Sequence, residues 1–180
     1  MTAQLSADDW IKAGLKALAK SGFTALKVDP LAKAMGVSRG SFYWHFADLG
    51  AFHAAILKRW REIAAEEIIA EVEAEGCDPV KALLRRTFGA RLELERAVRN
   101  WAAFDAAAQG AVRAIDRRRL DYIEHLLRQT GLPADVAGAR AQILYWAFLG
   151  FALSEQPSSE QRRQMILDEL LLMALPHGAP

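Results

Sequence analysis

The chain has 180 residues, of which 52% are hydrophobic and 25% charged, and its formal net charge is +1. This composition excludes disordered and fibrous proteins and suits one domain, or a small domain fused to a larger one. The one cysteine, Cys77, excludes an internal disulfide and a cysteine-based zinc cluster. The longest apolar run, residues 143–153, is too short for a membrane span, and the N-terminus lacks signal-peptide character. We therefore expect a soluble, cytoplasmic protein that makes no membrane contact.

Charge is unevenly distributed along the chain. Residues 1–61 carry nine Lys or Arg and four acidic residues, a net charge of +5, whereas the remainder carries −4. A basic N-terminal third favours a polyanionic partner for that part alone. Chance scatter of charge over a neutral protein would give the same totals, so composition leaves both interpretations open.

The first helix is predicted over residues 7–21. Ser6 and Asp9 have the spacing of a capping box, and Gly22 is placed to end the helix. No alternating strand pattern or hairpin turn occurs here or later in the sequence. The sequence therefore predicts an all-α fold.

Two short helices follow, joined by a tight turn. The second begins at Asp29-Pro30 and ends at Gly36, and the third covers residues 39–45 with Ser38 as its N-cap. Two short helices joined by a glycine-containing turn are typical of a helix-turn-helix.

The remaining sequence predicts further helices, about nine in all. A fourth helix begins after Asp48 and reaches the acidic stretch that ends at Glu75. Breaks at residues 76–79, 131–133 and 156–159 separate the others, which are predicted near residues 79–93, 95–105, 109–130, 135–154 and 159–174.

The last two helices carry more apolar surface than one small core can cover. Residues 143–153 are apolar on every side of the helix. This pattern favours an isologous homodimer, although a large monomeric core could also absorb these side chains. The predicted interface residues are Ile143, Ala147, Phe151, Met165, Leu167 and Leu171.

Residues 22–28 and 31–46 closely resemble the DNA-binding domain of the tetracycline-repressor (TetR) family. The most specific part is Gly36-Val37-Ser38 followed by Gly-Ser-Phe-Tyr-Trp-His-Phe at residues 40–46. The resemblance covers about residues 8–60 and implies a dimeric, ligand-responsive transcription repressor. It divides the chain into a three-helix DNA-binding head, residues 1–50, and a helical ligand-binding and dimerisation domain, residues 51–180.

The third helix is the expected DNA-recognition element. Arg39 in its first turn can reach phosphate or a guanine edge, and Gly40 lets the backbone approach DNA closely. Phe42 and Phe46 are spaced to face the core, whereas Tyr43 and His45 are expected on the exposed side. The predicted DNA-binding residues are Thr24, Lys27, Ser38, Arg39, Gly40, Ser41, Tyr43, Trp44 and His45.

Each of these assignments has a structural alternative. Arg39 could be a solvated charge, although a cation at a positive helix end favours an anionic partner. Tyr43, Trp44 and His45 could form a core cluster, but three consecutive residues cannot share one helix face. Many TetR relatives carry a lysine just after the His-Phe pair. Here residues 47–50 are Ala-Asp-Leu-Gly, and Lys27 is where many relatives have Ser or Thr.

The resemblance also implies an effector pocket among the middle helices. Mostly apolar walls with a few polar groups are expected for such a site, although aromatics at helical spacing can equally be plain core. The predicted walls are Trp60, Phe88, Leu92, Trp101, Phe104, Tyr122, Leu126, Tyr145, Trp146 and Phe148, and the polar groups are Arg91, Gln109, Arg119, His125 and Gln142.

Two other function classes are possible for a helical chain. An enzyme is not expected, because the sequence has no paired Glu-x-x-His motif, no P-loop and no glycine-rich dinucleotide turn, and we expect no cofactor or metal. The second class is a helical small-molecule-binding or protein-interaction module with weak or lost DNA binding. The missing lysine supports it, whereas the intact segment from Ser38 to Phe46 argues against it.

Overall fold

The computed structural model describes residues 5–89, 92–154 and 159–176. Within these ranges the chain is helical and contains no strand, which confirms the all-α prediction. The helices are α1 (Ala7–Ser21), α2 (Val28–Met35), α3 (Arg39–Tyr43), α4 (Leu49–Arg61), α5 (Glu67–Glu75), α6 (Pro79–Gly89), α7 (Glu93–Ala102), α8 (Ala106–Gln129), α9 (Ala134–Leu153) and α10 (Glu160–Ala174).

α4 continues into α5 through a π-helical segment, Glu62–Glu66. Counting α4 and α5 as one continuous helix, the described residues form nine helices. π-Helical turns are rare and are frequently found at functional sites. The chain forms two compact units, and one of the three points where it passes from one unit to the other falls inside this segment. One unit comprises the described residues within Met1–Ala64 and Leu92–Ala114, and the other comprises those within Ala65–Arg91 and Ile115–Pro180.

Most of the predicted helix ends of the N-terminal third are confirmed, but α2 begins at Val28 rather than at Asp29-Pro30, and α3 ends at Tyr43 rather than at residue 45. Ser6 accepts a hydrogen bond from the Asp9 backbone N–H while the Asp9 carboxylate accepts from the Ser6 backbone, which is a complete capping box. The hydrogen bonds that the Asp9 carboxylate accepts from the backbone N–H and the hydroxyl of Ser6 hold the pKa of Asp9 below its ordinary value. Gly22 and Gly36 end α1 and α2 at positive φ. The Asp48 side chain caps α4 by accepting from the Ala51 backbone N–H at 2.7 Å.

Some later boundaries differ from prediction by a few residues. α8 begins at Ala106 rather than 109, because the Asp105 carboxylate accepts a hydrogen bond from the Ala108 backbone N–H at 2.8 Å. The predicted turn at 156–159 lies outside the described residues except for Ser159, which caps α10. Arg91, a predicted pocket residue, also lies outside them.

The core of the first unit is formed where α1 crosses α4. Trp10, Phe42, Phe52 and Ile56 are all fully buried there. Gly14 faces α4 at a point where a Cβ atom would lie 2.6 Å from the Ile56 Cδ1 atom. The small glycine therefore permits this close helix packing. α7 packs against the same α1 helix.

In the second unit α6 packs against α5, α9 and α10. Arg86 of α6 forms ion pairs with Glu71 and Glu75 of α5. The Tyr145 hydroxyl of α9 donates to the Asp116 carboxylate of α8 at 2.5 Å. These contacts tie the helices of this unit together by side chains as well as by apolar packing.

α9 is the one described helix that is long and apolar enough to cross a membrane, judged by length and composition alone. One side of it, including Leu144, Tyr145 and Phe148, is buried inside its own unit. A core helix of a soluble protein passes the same test, so α9 is weak evidence for a membrane span. No group of three or more His, Cys, Asp or Glu that could hold a metal occurs among the described residues.

Candidate DNA-binding surface

α2 and α3 form a helix-turn-helix. Gly36 ends α2 in the left-handed conformation, and the Val37 backbone N–H donates to the Ala32 carbonyl at 3.0 Å. This bond closes a Schellman turn, which redirects the chain immediately after the helix. Ser38 then takes the extended N-cap backbone conformation, as predicted. Its hydroxyl makes no capping bond within the described residues, so the predicted cap is correct in position only.

Two phenylalanines anchor α3 and fix which of its faces is free. Phe42 is fully buried, with its ring centroid 5.3 Å from Trp10 and 5.3 Å from Phe52. Phe46 is also buried against Phe52, at 5.0 Å. The prediction that these two side chains face the core is confirmed. With these two rings buried, Tyr43 is 52% exposed and Trp44 is more exposed still.

That residue, Trp44, is 83% exposed. A tryptophan in this position stabilises the isolated chain little, because most of its apolar area stays in water. Exposed apolar area of this kind is typical of a binding surface when polar and charged groups surround it. The alternative that Tyr43 and Trp44 belong to a core cluster is therefore wrong, because both side chains are exposed.

The basic and small residues of α3 lie beside these aromatics in sequence and are accessible. Ser38, Arg39 and Gly40 are exposed, and Ser41 is half-buried. A Cβ atom at Gly40 would meet nothing closer than the Ser38 Oγ atom at 3.6 Å, so glycine is not required there by packing. Thr24, in the 3₁₀ turn Phe23–Ala25, and Lys27, at the N-cap position of α2, are also exposed.

Arg39 has a partner that the sequence did not predict. Its Nε atom lies 2.9 Å from the Asp29 Oδ1 atom, with both side chains largely exposed. Arg39 is a cation at the N-terminus of a helix, where an anionic partner is expected. In the free chain this partner is the Asp29 carboxylate in the first turn of α2. The nine residues between Asp29 and Arg39 gave no periodic signal for this pair, because the contact is made across the turn.

His45 is half-buried, which corrects its predicted place on the exposed side. Its Nε2 atom lies 2.7 Å from the Leu5 carbonyl oxygen. The ring therefore joins the C-terminal end of the recognition segment to the chain just before α1. Leu5 and His45 are 40 residues apart in the sequence, so the local sequence pattern gives no sign of this contact. A DNA contact by His45 remains a prediction.

The predicted pocket residues are divided between the two units. Trp60 and Trp101 are buried in the first unit, whereas Phe104 is exposed there; Phe88, Tyr122 and Tyr145 are buried in the second. His125 and Trp146 are exposed in the second unit. Neither unit by itself therefore collects the whole predicted set.

Within the first unit, an aromatic cluster forms that the sequence pattern did not predict. The Phe23 ring lies 4.8 Å from Trp101 and 5.5 Å from Phe104, and His53 lies 5.4 Å from Trp101. His53 also approaches the Leu26 carbonyl oxygen at 3.1 Å through its Nε2 atom. The cluster joins α7 to the segment that leads into α2.

Two predicted pocket residues carry buried polar atoms that have no partner in the part of the chain described. These are the Trp101 Nε1 atom in the first unit and the Tyr122 hydroxyl in the second. Burial raises the pKa of Tyr122, and Glu73 adds to the effect while Arg118 opposes it. Arg119, a predicted polar group, instead lies over the Phe148 ring at 5.0 Å. Gln109 accepts a hydrogen bond from Arg113, and Gln142 is half-buried.

α9 and α10 expose an apolar surface, which we call the α9–α10 face. Of the predicted interface residues, Ile143 and Met165 are exposed, and Ala147, Phe151, Leu167 and Leu171 are half-buried. On α9 the exposed residues recur at three- and four-residue spacing, which makes one stripe. Several exposed apolar members of the face were not predicted from the sequence: Trp146, Leu153, Ile166, Leu172 and Met173.

Residues 11–48 match the family model described as bacterial regulatory proteins, tetR family. A Rhodococcus sp. structure assigned to the TetR family of transcriptional regulators is similar, with a TM-score of 0.65 and 21% identity over 93% of this chain and 97% of that one. The multidrug binding protein EbrR, solved with imidazole, has a TM-score of 0.62 and 21% identity over 96% of each chain.

A transcriptional regulator from Cytophaga hutchinsonii ATCC 33406 gives a TM-score of 0.62 and 16% identity over 93% of each chain. No curated protein matches the sequence. The helix-turn-helix segment of this chain therefore matches the model of the tetR family of bacterial regulatory proteins, and the fold of the chain is similar to that of the solved regulators.

Proposed function

We propose that the chain is a sequence-specific DNA-binding transcriptional regulator that acts as a homodimer. The observation that carries the proposal is the free face of α3, where Tyr43 and Trp44 are exposed next to Arg39. A helix of this kind enters the major groove with its first residues at the base edges. The family match over residues 11–48 supports the same conclusion.

The DNA contacts follow from the chemistry of each exposed side chain. Arg39 and Ser41 offer donors to base edges or phosphates, and Gly40 lets the α3 backbone approach closely. Thr24 and Lys27 are proposed to contact phosphates. The acidic Asp48 at the start of α4 is engaged in capping that helix, so Lys27 is the proposed source of the phosphate contact that many TetR relatives make with a lysine there.

The α9–α10 face is the proposed dimer interface. Its exposed aromatic and aliphatic side chains lie on two helices that pack against each other, and clustered exposed apolar residues mark interaction sites. A twofold dimer buries such a face by pairing it with itself. The dimer would then present two α3 helices to successive major grooves about 34–36 Å apart. A palindromic operator is the expected DNA partner.

A small, largely apolar effector is the proposed regulator of DNA binding. EbrR, which shares the fold, is a multidrug binding protein. In the second unit of this chain, the Tyr122 hydroxyl is a buried donor that still lacks a partner among the described residues. A buried donor of this kind is normally satisfied, and a bound effector would satisfy it. The proposed domains remain residues 1–50 for DNA and 51–180 for effector and dimer.

The proposed mechanism is a shift between two states of the dimer. A ligand that prefers a state with differently spaced α3 helices weakens DNA binding by its differential affinity and no more. The continuous rod from α4 to α5 is the proposed lever, and its π-helical segment is the place where the backbone is least regular. We propose release of a repressor from its operator, in the cytoplasm and without enzymatic activity.

The test compares Arg39→Ala and Tyr43→Ala with the wild-type chain on selected operator DNA. Each should weaken operator binding and relax the sequence preference at the base it reads, because a base contact is worth about 1–3 kcal/mol and is removed in both protomers. Lys16→Ala, an exposed α1 position, removes the same charge and should leave specificity intact. Sedimentation should show the dimer in all three. Undiminished operator binding by both α3 variants would refute the assignment.

The second candidate is a helical effector-binding module with weak or lost DNA binding. It is favoured by one observation, the absence of a basic residue at 47–50 beside the capping Asp48. It predicts weak binding that does not distinguish sequences. The same titration with operator and scrambled duplexes separates the two candidates.

A further inference from the structure

We propose that Asp29 is a positioning residue that orients Arg39 to read guanine, and thereby sets the base preference of the recognition surface. The proposal rests on the proposed DNA-binding function and names the base that this site takes. Its basis is the contact of 2.9 Å between the Asp29 Oδ1 atom and the Arg39 Nε atom. The contact crosses the turn, from the first turn of α2 to the first residue of α3.

The geometry of the guanidinium group decides what this contact leaves available. Arginine carries five N–H donors in a planar fork, at Nε and at the two terminal nitrogens. Asp29 takes the Nε side. Within the described residues, no other ion pair or hydrogen bond holds Arg39. The two terminal nitrogens therefore remain free to donate in parallel to guanine O6 and N7, the commonest specific contact to a base edge.

Fixing one side of the fork also restricts its orientation. Arginine loses conformational freedom when it binds, and an ordered side chain has less of it to lose. An Arg39 side chain that rotates freely would bind any nearby phosphate oxygen. Asp29 disfavours this phosphate contact, because its carboxylate lies beside the guanidinium and repels the phosphate. The pair thus favours the base edge over the backbone.

Other roles for Asp29 are small. Its side chain is 67% exposed and that of Arg39 is 63% exposed, and ion pairs this exposed contribute little to stability. Lys27, not Asp29, holds the N-cap position of α2. What remains is a modest interaction of Asp29 with the positive end of the α2 dipole. Without an effect on Arg39, the Asp29 carboxylate would only weaken the binding of DNA, because both are negatively charged. Orienting Arg39 is therefore the proposed function of Asp29.

The proposal predicts opposite changes in affinity and specificity. Asp29→Asn removes a negative charge that faces DNA, so binding to unrelated duplexes should tighten. The same change releases Arg39, so preference for guanine should fall. Asp8→Asn is the matched control, because Asp8 forms a similarly exposed ion pair with Lys12 at 2.6 Å on α1. The Asp8→Asn variant loses the same negative charge and an equivalent ion pair. It should nevertheless leave the base preference unchanged.

The experiment uses operator duplexes selected by the wild-type chain, in which each guanine of the half-site is replaced in turn. Wild type should discriminate against replacement of one guanine on the order of 10–100-fold. Arg39→Ala should lose discrimination at that base alone, and Asp29→Asn should lose most of it there, with an unchanged melting temperature. Asp29→Glu should restore part of it.

Three results would overturn the inference. If Asp29→Asn keeps full discrimination at the base that Arg39→Ala identifies, Asp29 does not position Arg39, while the proposed function stands. If the base read by Arg39 is not guanine, the assigned edge of the fork is wrong. A wild-type chain that discriminates no sequence at all would refute the proposed function as well.

Discussion

Replacing Gly14 with alanine tests whether α1 and α4 pack as closely as the structure indicates. A Cβ atom at this position would lie 2.6 Å from Ile56 Cδ1 and 2.7 Å from Phe52 Cζ. Contacts this short do not occur, so a neighbour must move. Both neighbours are fully buried, and the Phe52 ring is packed against Phe42 and Phe46. Relief therefore requires a strained rotamer or a displacement of α1.

The expected magnitude is set by two opposing effects. Overpacking a core costs about 1–3 kcal/mol. Glycine to alanine inside a helix gains about 0.5–1 kcal/mol. Gly110 in α8 is the matched control, because a Cβ atom there would meet no described atom within 4 Å outside its own helix and neighbours. The helix gain then cancels in the comparison, and Gly14→Ala should be less stable than Gly110→Ala by about 1–3 kcal/mol.

Urea unfolding followed by circular dichroism measures this difference from the two midpoints. Adding Ile56→Val, which removes the Cδ1 atom, should recover part of the loss in the Gly14→Ala background because one of the two short contacts disappears. If Gly14→Ala proves as stable as Gly110→Ala, the reasoning fails and α1 does not lie this close to α4.

Three further predictions concern the phosphate contact, the dimer and a buried hydroxyl. Lys27→Ala should reduce the slope of log affinity against log salt by about one for each phosphate that the lysine neutralises, measured by fluorescence anisotropy on operator DNA; an unchanged slope would exclude this role for Lys27. Trp146→Lys should shift the chain toward monomer in analytical ultracentrifugation, whereas Ala74→Lys, on exposed α5 surface, should not; a dimer that survives Trp146→Lys would move the interface elsewhere. Tyr122→Phe should be neutral or stabilising near pH 7, because the buried hydroxyl has no partner among the described residues. The pKa of Tyr122 is raised above its ordinary value of 10.0 in the folded chain, so wild type should lose stability as pH rises above 10.0 and Tyr122→Phe should escape that loss. Urea midpoints at neutral and alkaline pH measure it, and parallel pH profiles would contradict it.

The sequence was most informative where structure depends on near neighbours. Ser6, Gly22 and Asp48 were predicted as caps because each acts on atoms within four residues along the chain. The burial of Phe42 and Phe46 followed from helical spacing in the same way. The helix-turn-helix, built almost wholly from such local signals, was therefore predictable in position and in orientation of its outer face.

Contacts between distant residues were not predictable by this route. His45 approaches the Leu5 carbonyl across 40 residues, and Asp29 meets Arg39 across the turn. Nothing periodic marks either pair. Trp146 shows a different limit: a helix that is apolar on every side gives no pattern to tell its buried face from its exposed one. Its assignment to a pocket wall rested on residue type alone.

The proposed regulator reads a specific DNA sequence as a dimer. The most direct measurement is selection of binders by the purified full chain from a random duplex DNA pool at two salt concentrations. We expect an enriched palindrome whose half-site centres lie about one helical turn, or a multiple of it, apart, bound more weakly but with the same sequence preference at higher salt. Binding that falls with salt and enriches no sequence would contradict the claim.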